Sequence, residues 1–513
     1  MAHGLQPDLV VDRCYDRDVR FPGLAAAVAL IAGSAAVAQA NPTGQSDVDP
    51  ADERHPWIAL GELGVALAIP AAYYASTKEH QAVDFDLGND WESWKTKLFS
   101  TEKLKFDTNP FHINALRHPI QGVVDYHIVR TNGFSSTAAM LVTVVKGLLW
   151  EYVIEYREDP SINDIIFNPA AAMAVGEPMY QIGQLWRGSR ITLRDRVRTA
   201  VFSPFDAFHD THRRSKRWFR PSVWRTIDLA AGANERVVQT RWISELGASA
   251  DIDLVTNRAY AEGGAYDGFT RTGEWSRLRI SARVGQGRDG NVELTGTQLR
   301  SRTSWFGRYT QDEDGNGRFL GIGTAFTYRN DWLGTEKDRI AIGHLVGIQL
   351  QLSRRRPEYE LRWEIAGYLD FALVQSLVFN RQRPFPRPPP YYSSLQSDGY
   401  IDAFGTSLAT RLRFDSGPWH LDLEIDGNVM HQVAYHDRDP DGTGSNVVLP
   451  PGTLVTATGI DEQRGLWRAQ VTYRPGRWGF AVAAEGAERR SSWRDETRQT
   501  SEISLGLSAL LAY

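Results

Sequence analysis

From about Arg225 to the C-terminus, apolar and polar residues alternate with period two, the spacing of a strand with one apolar face. Trp419, Leu421, Leu423 and Ile425 alternate with His420, Asp422, Glu424 and Asp426. Tyr359, Leu361, Trp363 and Ile365 face away from Glu360, Arg362 and Glu364, and Leu278, Ile280, Ala282 and Val284 oppose Arg277, Arg279, Ser281 and Arg283. A last segment sets Ile503, Leu505, Leu507, Ala509, Leu511 and Tyr513 against Glu502, Ser504, Gly506 and Ser508. Similar segments start near Arg225, Trp242, Asn291, Phe319, Arg339, Ile401, Leu466 and Trp478, giving about 12 strands of roughly 9 to 11 residues, the length a tilted strand needs to cross a membrane. The expected fold is mostly β: an antiparallel transmembrane β-barrel of about 12 strands preceded by a small α-helical domain.

Alternation alone fits a soluble sandwich equally well, because it does not say whether the apolar face meets a core or lipid. The barrel is favoured by strands longer than the globular norm of about five or six residues, and by aromatics placed near strand ends as in an interfacial girdle, among them Trp275, Trp363, Trp419, Trp478, Tyr328, Tyr359 and Tyr473. It is also favoured by a final amphipathic strand ending on Tyr513, which resembles the signal read by barrel-assembly machinery. With both termini on one side, connections should alternate between short and long. Asp415-Ser416-Gly417 and Pro475-Gly476 read as tight turns, and Val374 to Tyr400, Val433 to Glu462 and Ser491 to Thr500 as long loops. Gly285 to Gly290 is short and Thr256 to Glu274 long, against that alternation, so the strand count is uncertain by two. The loop Arg383 to Tyr392, RPFPRPPPYY, favours an extended polyproline conformation. It is a partner-binding or pore-constricting loop, or simply a stiff surface one.

Before the strands the pattern is helical. Phe21 to Ala40 is an apolar run ending Ala38-Gln39-Ala40, a small-x-small cleavage pattern, so residues 1–40 read as a secretory signal peptide. The residues ahead of it are net acidic, with Arg13, Arg17 and Arg20 against Asp8, Asp12, Asp16 and Asp18, and a start at Val19 would remove that anomaly. Residues 41–105 read as an N-terminal helix and linker, with a buried or interfacial helix over Trp57 to Ala75 and an irregular stretch from Asp84 to Lys105. Residues 106–215 form a helical domain with segments His118 to Arg130, Ser135 to Glu158 and Ser161 to Arg187, and residues 216–513 the barrel. His212 to Arg225 is basic, through Arg213, Arg214, Lys216, Arg217, Arg220 and Arg225: a linker, or a contact for anionic headgroups.

Charge narrows the class. Lys plus Arg number 57 against 62 Asp plus Glu, a net of −5, which disfavours nucleic acid as a partner. The one cysteine, Cys14, precedes the apolar run, so the exported chain has neither disulfides nor cysteine chemistry.

The densest polar constellation holds Asn109, Asn114, His118, Tyr126, Arg130, Glu151, Glu155, Ser161, Asp164, Asn168 and Glu177. His118, Gly122, Tyr126 and Arg130 fall four apart on one helix face, and Glu151 and Glu155 share a face of the next. The catalytic candidates are His118, Tyr126, Arg130, Glu151, Glu155, Ser161 and Asp164, which together could serve acid–base chemistry. The structural alternative makes Ser161 and Asp164 a helix cap, His118 a cap before Pro119, and Arg130 the partner of Glu151 or Glu155.

The motifs NPFHINALRHPIQGVVDYHIVR, LLWEYVIEY and EDPSINDIIFNP resemble an uncharacterised family of bacterial outer-membrane proteins known only as a domain of unknown function. The resemblance implies a helical module attached to a barrel and supplies no activity. Gly285, Gly287 and Gly290 fit a dinucleotide glycine pattern, but a strand follows where a helix is required. Asp437, Asp439, Asp441 and Gly442, and likewise Asp312, Asp314, Asn316 and Gly317, imitate the start of a calcium loop without its twelfth-position Glu. His209 and His212 lack a third ligand. No cofactor and no metal are expected.

Arg277, Arg279, Arg283, Glu360, Arg362, Glu364, Asp422, Glu424 and Asp426 are the expected lumen-facing residues. The leading functional expectation is a Gram-negative outer-membrane barrel that passes or retains a solute or lipid, with the helical module as plug or gate. The alternatives are an outer-membrane enzyme acting on lipid or envelope polymer, and a structural barrel anchoring an envelope complex. Its expected partners are outer-membrane lipid and, through the strand ending at Tyr513, the assembly machinery.

Overall fold

In the computed structural model of the protein, the described residues are 54–78, 90–99, 104, 106, 109, 111–156, 158–186, 193–213, 224–238, 241–286, 291–333, 336–377, 400–436, 459–493 and 496–512. The leader with Cys14, the loop Arg383 to Tyr392, the run Asp437 to Gly442, most of the basic stretch 212–225 and Tyr513 lie outside them.

Among the described residues seven α-helices come first: α1 (Pro56–Lys78), α2 (Trp91–Phe99), α3 (His118–Thr131), α4 (Ser136–Leu149), α5 (Ile162–Trp186), α6 (Leu193–Phe202) and α7 (Pro204–Arg213). A π-helical turn, Ile113–Arg117, leads into α3, and another, Trp150–Ile154, continues α4. The stretch expected to be irregular from Asp84 to Lys105 contains α2, which Asp90 starts by accepting from the Ser93 N–H at 2.8 Å.

The strands are β1 (Trp224–Val238), β2 (Arg241–Val255), β3 (Tyr266–Thr270), β4 (Trp275–Gln286), β5 (Val292–Gln311), β6 (Gly317–Leu333), β7 (Glu336–Arg356), β8 (Tyr359–Val374), β9 (Tyr400–Ser416), β10 (Trp419–His436), β11 (Asp461–Tyr473), β12 (Trp478–Trp493) and β13 (Glu496–Ala512). All but β3 form a ring of antiparallel neighbours, closed where β1 pairs with β13 from Asp228↔Ala512 to Val238↔Glu502. The result is a closed 12-strand barrel behind a helical region. The ring strands run from 12 residues in β4 to 21 in β7, longer than the expected 9 to 11. Two long-loop expectations meet different outcomes. Val374 to Tyr400 does separate β8 from β9, whereas β12 and β13 stay paired as far as Trp493↔Glu496, so most of Ser491 to Thr500 is strand.

Call the end where β1 begins and β13 ends the lower end. The Thr256 to Glu274 connection lies there and is long because it folds: it carries α8 (Arg258–Glu262) and β3, which pairs with the lower end of β5. The break in loop alternation is therefore real and leaves the strand number at twelve.

Period two assigns each strand's side chains to the lumen or the outer wall. Ile425, Val429, Trp467, Val471, Phe480, Val482, Ile503, Leu505 and Leu507 are exposed on the outside. Trp419 and Tyr473 pack with ring centres 4.8 Å apart near the lower rim. Two of the expected girdle aromatics lie elsewhere. Trp275 points inward, stacked on Phe319 at 4.6 Å, and Tyr328 is covered on the outer wall by Phe111.

The helical module packs against the outer wall, which corrects the expectation of a plug. α5 crosses β4 to β8 on the face opposite the charged one. Phe167 meets Phe326 at 5.5 Å and Phe371 at 5.9 Å, and the Ser301 hydroxyl donates to the Ala174 carbonyl at 2.5 Å. Further along α5, Ile182 and Leu185 bury Ile227, Ile252, Leu254 and Leu278. Arg300 and Arg302, the neighbours of Ser301, point the other way into the lumen and reach Asp426 and Glu364.

Within the module α3 and α5 run side by side, and Gly122 is where they approach most closely: an added Cβ would lie 2.4 Å from the Asn168 carbonyl oxygen. Gly122→Ala should destabilise the helical module by about 1–3 kcal/mol through overpacking. Denaturant titration followed at 222 nm should show the helical signal lost earlier while the β-sheet signal is unchanged.

Candidate functional site

The expected constellation separates into two groups. On α3, Tyr126 and Arg130 lie one turn apart and both address Glu177 of α5. Arg130 donates from Nε to Oε2 at 2.8 Å and from Nη2 to Oε1 at 2.9 Å, Tyr126 donates to Oε2 at 2.6 Å, and Gln181 to Oε1 at 2.7 Å. The guanidinium also donates to the Phe134 carbonyl and lies 4.2 Å from the Tyr180 ring centre. Arg130 thus pairs with Glu177, and neither Glu151 nor Glu155 is its partner. Four donors on one fully buried carboxylate make a clamp between helices, with the planar fork that a bidentate Arg provides.

The second group sits at the start of α5. Ser161 receives the Asp164 N–H at 3.2 Å on its hydroxyl, and its own N–H donates to Glu151 Oε2 at 2.6 Å. His118 Nδ1 is 3.6 Å from Asp164 Oδ2. His118 is itself the first residue of α3, whose N-cap position is Arg117, because the preceding π-turn runs straight into the helix. Glu155 ends the second π-turn, and its carbonyl accepts from Lys97 of α2 at 2.6 Å. His118, Glu151, Ser161 and Asp164 are therefore linked in one chain, from which Glu155, Tyr126 and Arg130 are absent.

The barrel interior holds the larger charged assembly. Arg277 of β4 pairs with Asp251 of β2 at 3.0 Å and reaches Glu424 of β10 at 3.4 Å. In the ring β4 and β10 stand six strands apart, directly opposite. Arg279 joins Glu424 at 3.4 Å and Glu485 at 3.2 Å, and Arg300 joins Asp426 at 2.6 Å. Arg411 of β9 reaches Asp253 of β2, again the opposite wall, at 2.9 Å, and also holds Asp422. Arg362 pairs with Asp253 and with Glu364, Arg283 with Asp331 at 2.9 Å, and Arg489 with Asp338 at 2.7 Å. A further polar chain hangs from β7: His344 Nδ1 lies 2.7 Å from Asp370, its Nε2 lies 3.2 Å from the Thr327 hydroxyl, and Ser407 donates to Asp370. The partners Asp251, Asp253, Asp338, Arg300 and Arg411 went unnamed in the sequence reading, although they occupy the same period-two face as the residues that were named.

Among the described residues, apolar side chains fill part of each end of the ring. At the upper end Ile340, Ile342, Val374, Ile401, Met430 and Trp493 form an apolar layer inside the ring. At the lower end α8 turns Tyr260 inward among Val255, Trp275, Tyr309 and Phe319, where its hydroxyl donates to Glu360 at 2.8 Å and Arg355 lies 4.0 Å from its ring centre. The ring also keeps a cavity of about 130 Å³ beside Asp251, Arg279, Arg468 and Glu485 that reaches the lower end at Asp228 and Arg474, and one of about 90 Å³ beside Arg302, His344 and Tyr368.

The resemblance can now be given its extent. Residues 103–205 match the family described as Domain of unknown function (DUF3943). The matched stretch contains α3 to α6 and ends before the barrel. Comparison with curated proteins gives no match. Among solved structures, the chain is similar to OmpT, an outer membrane protein of Vibrio cholerae, at 10% identity over 57% of this chain and 97% of that one, with a TM-score of 0.17. It is similar to an outer membrane channel from Pseudomonas putida F1 at 9% identity over 57% and 95%, with a TM-score of 0.24. The β domain of the Bordetella autotransporter BrkA follows at 8% over 55% and 98%, with a TM-score of 0.21. At such scores the likenesses add nothing to what the strand pairing already shows.

Among the described residues no group of three or more His, Cys, Asp or Glu is placed to hold a metal. The Asp312 to Gly317 segment is a polar turn, in which Asn316 donates to Asp312 from its backbone N–H at 2.8 Å and from its side chain at 2.7 Å. Those two bonds hold the Asp312 carboxyl below its ordinary range.

Removing one member of the α3–α5 clamp strands the other in a dry core. Arg130→Ala and Glu177→Ala should each cost about 3–5 kcal/mol, and the double change Arg130→Leu with Glu177→Leu should cost markedly less than their sum. Denaturant midpoints of the four chains measure this.

Proposed function

We propose that the protein is a bacterial outer-membrane barrel, closed to solutes in this conformation, that serves as a membrane scaffold for the helical module carried on its wall. The observation that carries this reading is the set of ion pairs joining opposite walls, Arg277 to Glu424 and Arg411 to Asp253, with apolar layers above and Tyr260 below. A lumen cross-linked at its waist and narrowed by side chains at both ends supports closure over free passage. The membrane assignment draws support from ring closure, which pairs each of the twelve ring strands on both sides, and from the apolar outer wall. The leader at 1–40 supports export, and the exposed Ile503, Leu505 and Leu507 of β13 support recognition of the last strand by the assembly machinery.

One observation favours gated passage as a second reading. The 256–274 connection that inserts Tyr260 also touches the module, because an added Cβ on Gly273 would lie 2.7 Å from Glu177 Oε1. A shift of α5 along the wall would then pull on the lower stopper.

Planar-bilayer recordings separate the two. The scaffold reading expects no conductance steps from the wild-type chain or from Tyr260→Ala, since the waist ion pairs remain. Steps from the folded wild-type chain would contradict closure, and steps appearing only in Tyr260→Ala would favour the gate.

A further inference from the structure

The helices that cover α5 have an outer surface of their own. α1 exposes Leu60, Val65, Ile69 and Tyr73, the last three at helical spacing, and α4 with its π-turn exposes Leu141, Val145, Leu149 and Val153. Pro56–Ser76 and Ser136–Ile154 are each long and apolar enough to cross a membrane. At 1.5 Å per residue they reach about 30 Å, the thickness of a hydrocarbon layer.

Every charge within these two stretches turns inward. Glu62 is the single charged residue of the first, and it accepts from Asn132 at 2.7 Å and lies 2.6 Å from His209 Nε2. Lys146 of the second donates to Asp125 at 2.5 Å and to the Ala66 carbonyl of α1 at 3.3 Å, and Glu151 accepts the Ser161 N–H. Polar groups paired within and bare apolar side chains without is the arrangement a lipid solvent selects.

The level of the module on the wall points the same way. α5 lies over Leu278, Ser301, Phe326, Gly343 and Phe371, one outward position on each of five successive strands. On those strands the outward side chains beyond its footprint are again exposed and apolar: Ile280 and Val284 on β4, Leu294 on β5, Leu320 on β6, Ile348 on β7 and Leu369 on β8. The module thus sits within the apolar belt, with belt residues above it on β4 and β5 and below it on β6 to β8. A bilayer that wets the belt there must also meet α1 and α4.

We propose that α1 and α4 face lipid acyl chains, so that the membrane-embedded body is a barrel with a helical buttress replacing lipid along β4 to β8. The proposal rests on the membrane reading of the barrel and goes beyond it. The sole cysteine is Cys14, so nitroxide labels can be placed singly, in a Cys14→Ser background, at Ile69→Cys, Val145→Cys and, as a barrel control, Leu505→Cys. All three are exposed positions whose replacement leaves the packing alone.

The full chain is reconstituted in phosphatidylcholine/phosphatidylglycerol vesicles, and relaxation by oxygen is compared with relaxation by a water-soluble nickel chelate. The expected result is oxygen access with loss of nickel access at Ile69 and Val145, matching Leu505. Nickel access at Ile69 and Val145 while Leu505 stays oxygen-accessible would overturn the proposal and leave the barrel reading standing. Access to neither reagent at the helical sites would also overturn it, assigning the face to a second copy or a protein partner. Nickel access at Leu505 itself would instead overturn the membrane reading on which the proposal depends.

Discussion

The barrel depends on neutralising the charge that its inward faces carry. A guanidinium withdrawn from bulk water must be paired or the fold does not form. Here Arg277 and Arg411 each hold one carboxylate on a neighbouring strand and a second across the ring, and Arg300 reaches Asp426 across it. Such pairs are poor evidence of extra stability, because desolvation offsets much of their attraction. Their structural consequence is firmer. Each fixes the separation of two walls, and together they hold a lumen whose width is set by the reach of an Arg–carboxylate pair.

With the interior taken up by side chains, the helical module can pack only outside, and the residues at the contact permit it. α5 presents Ala170, Ala171 and Ala174 to a wall offering Gly343 and Ser301, so helix and sheet come close enough for Phe167 to sit between Phe326 and Phe371. Asn114 and Tyr400 then join the π-turn before α3 to β9. The clamp of Arg130 on Glu177 fixes α3 to α5, so the helices beyond α5 are carried on the wall through it.

Much of this was legible in the chain. Period two located the twelve ring strands, because an outer wall facing an apolar medium and an inner face crossed by ion pairs give a sharper alternation than a sandwich would. The spacing of His118, Gly122, Tyr126 and Arg130 marked one helix face, and that face lies along α5. Partner identity was not legible: the pattern offered Glu151 or Glu155 to Arg130, and only the parallel run of α3 and α5 selects Glu177. The side of the wall was likewise hidden, since α5 is apolar nearly all round and would suit a lumen or a flank equally. The Thr256 to Glu274 connection looked like a miscount because its length is spent on α8 and β3, a tertiary use that local pattern does not encode.

The placement of the module is tested most directly by cysteine pairs read as disulfide cross-links. A Cβ at position 343 would lie 3.3 Å from the Ala170 Cβ, near the usual disulfide separation of about 3.5–4.5 Å, whereas Ile342 beside it points into the lumen. Ala170→Cys with Gly343→Cys should lock α5 to β7 in the folded chain, and Ala170→Cys with Ile342→Cys should not. Cross-linking of the 342 pair with none from the 343 pair would place the module inside the barrel and contradict a scaffold that carries it on the outer wall.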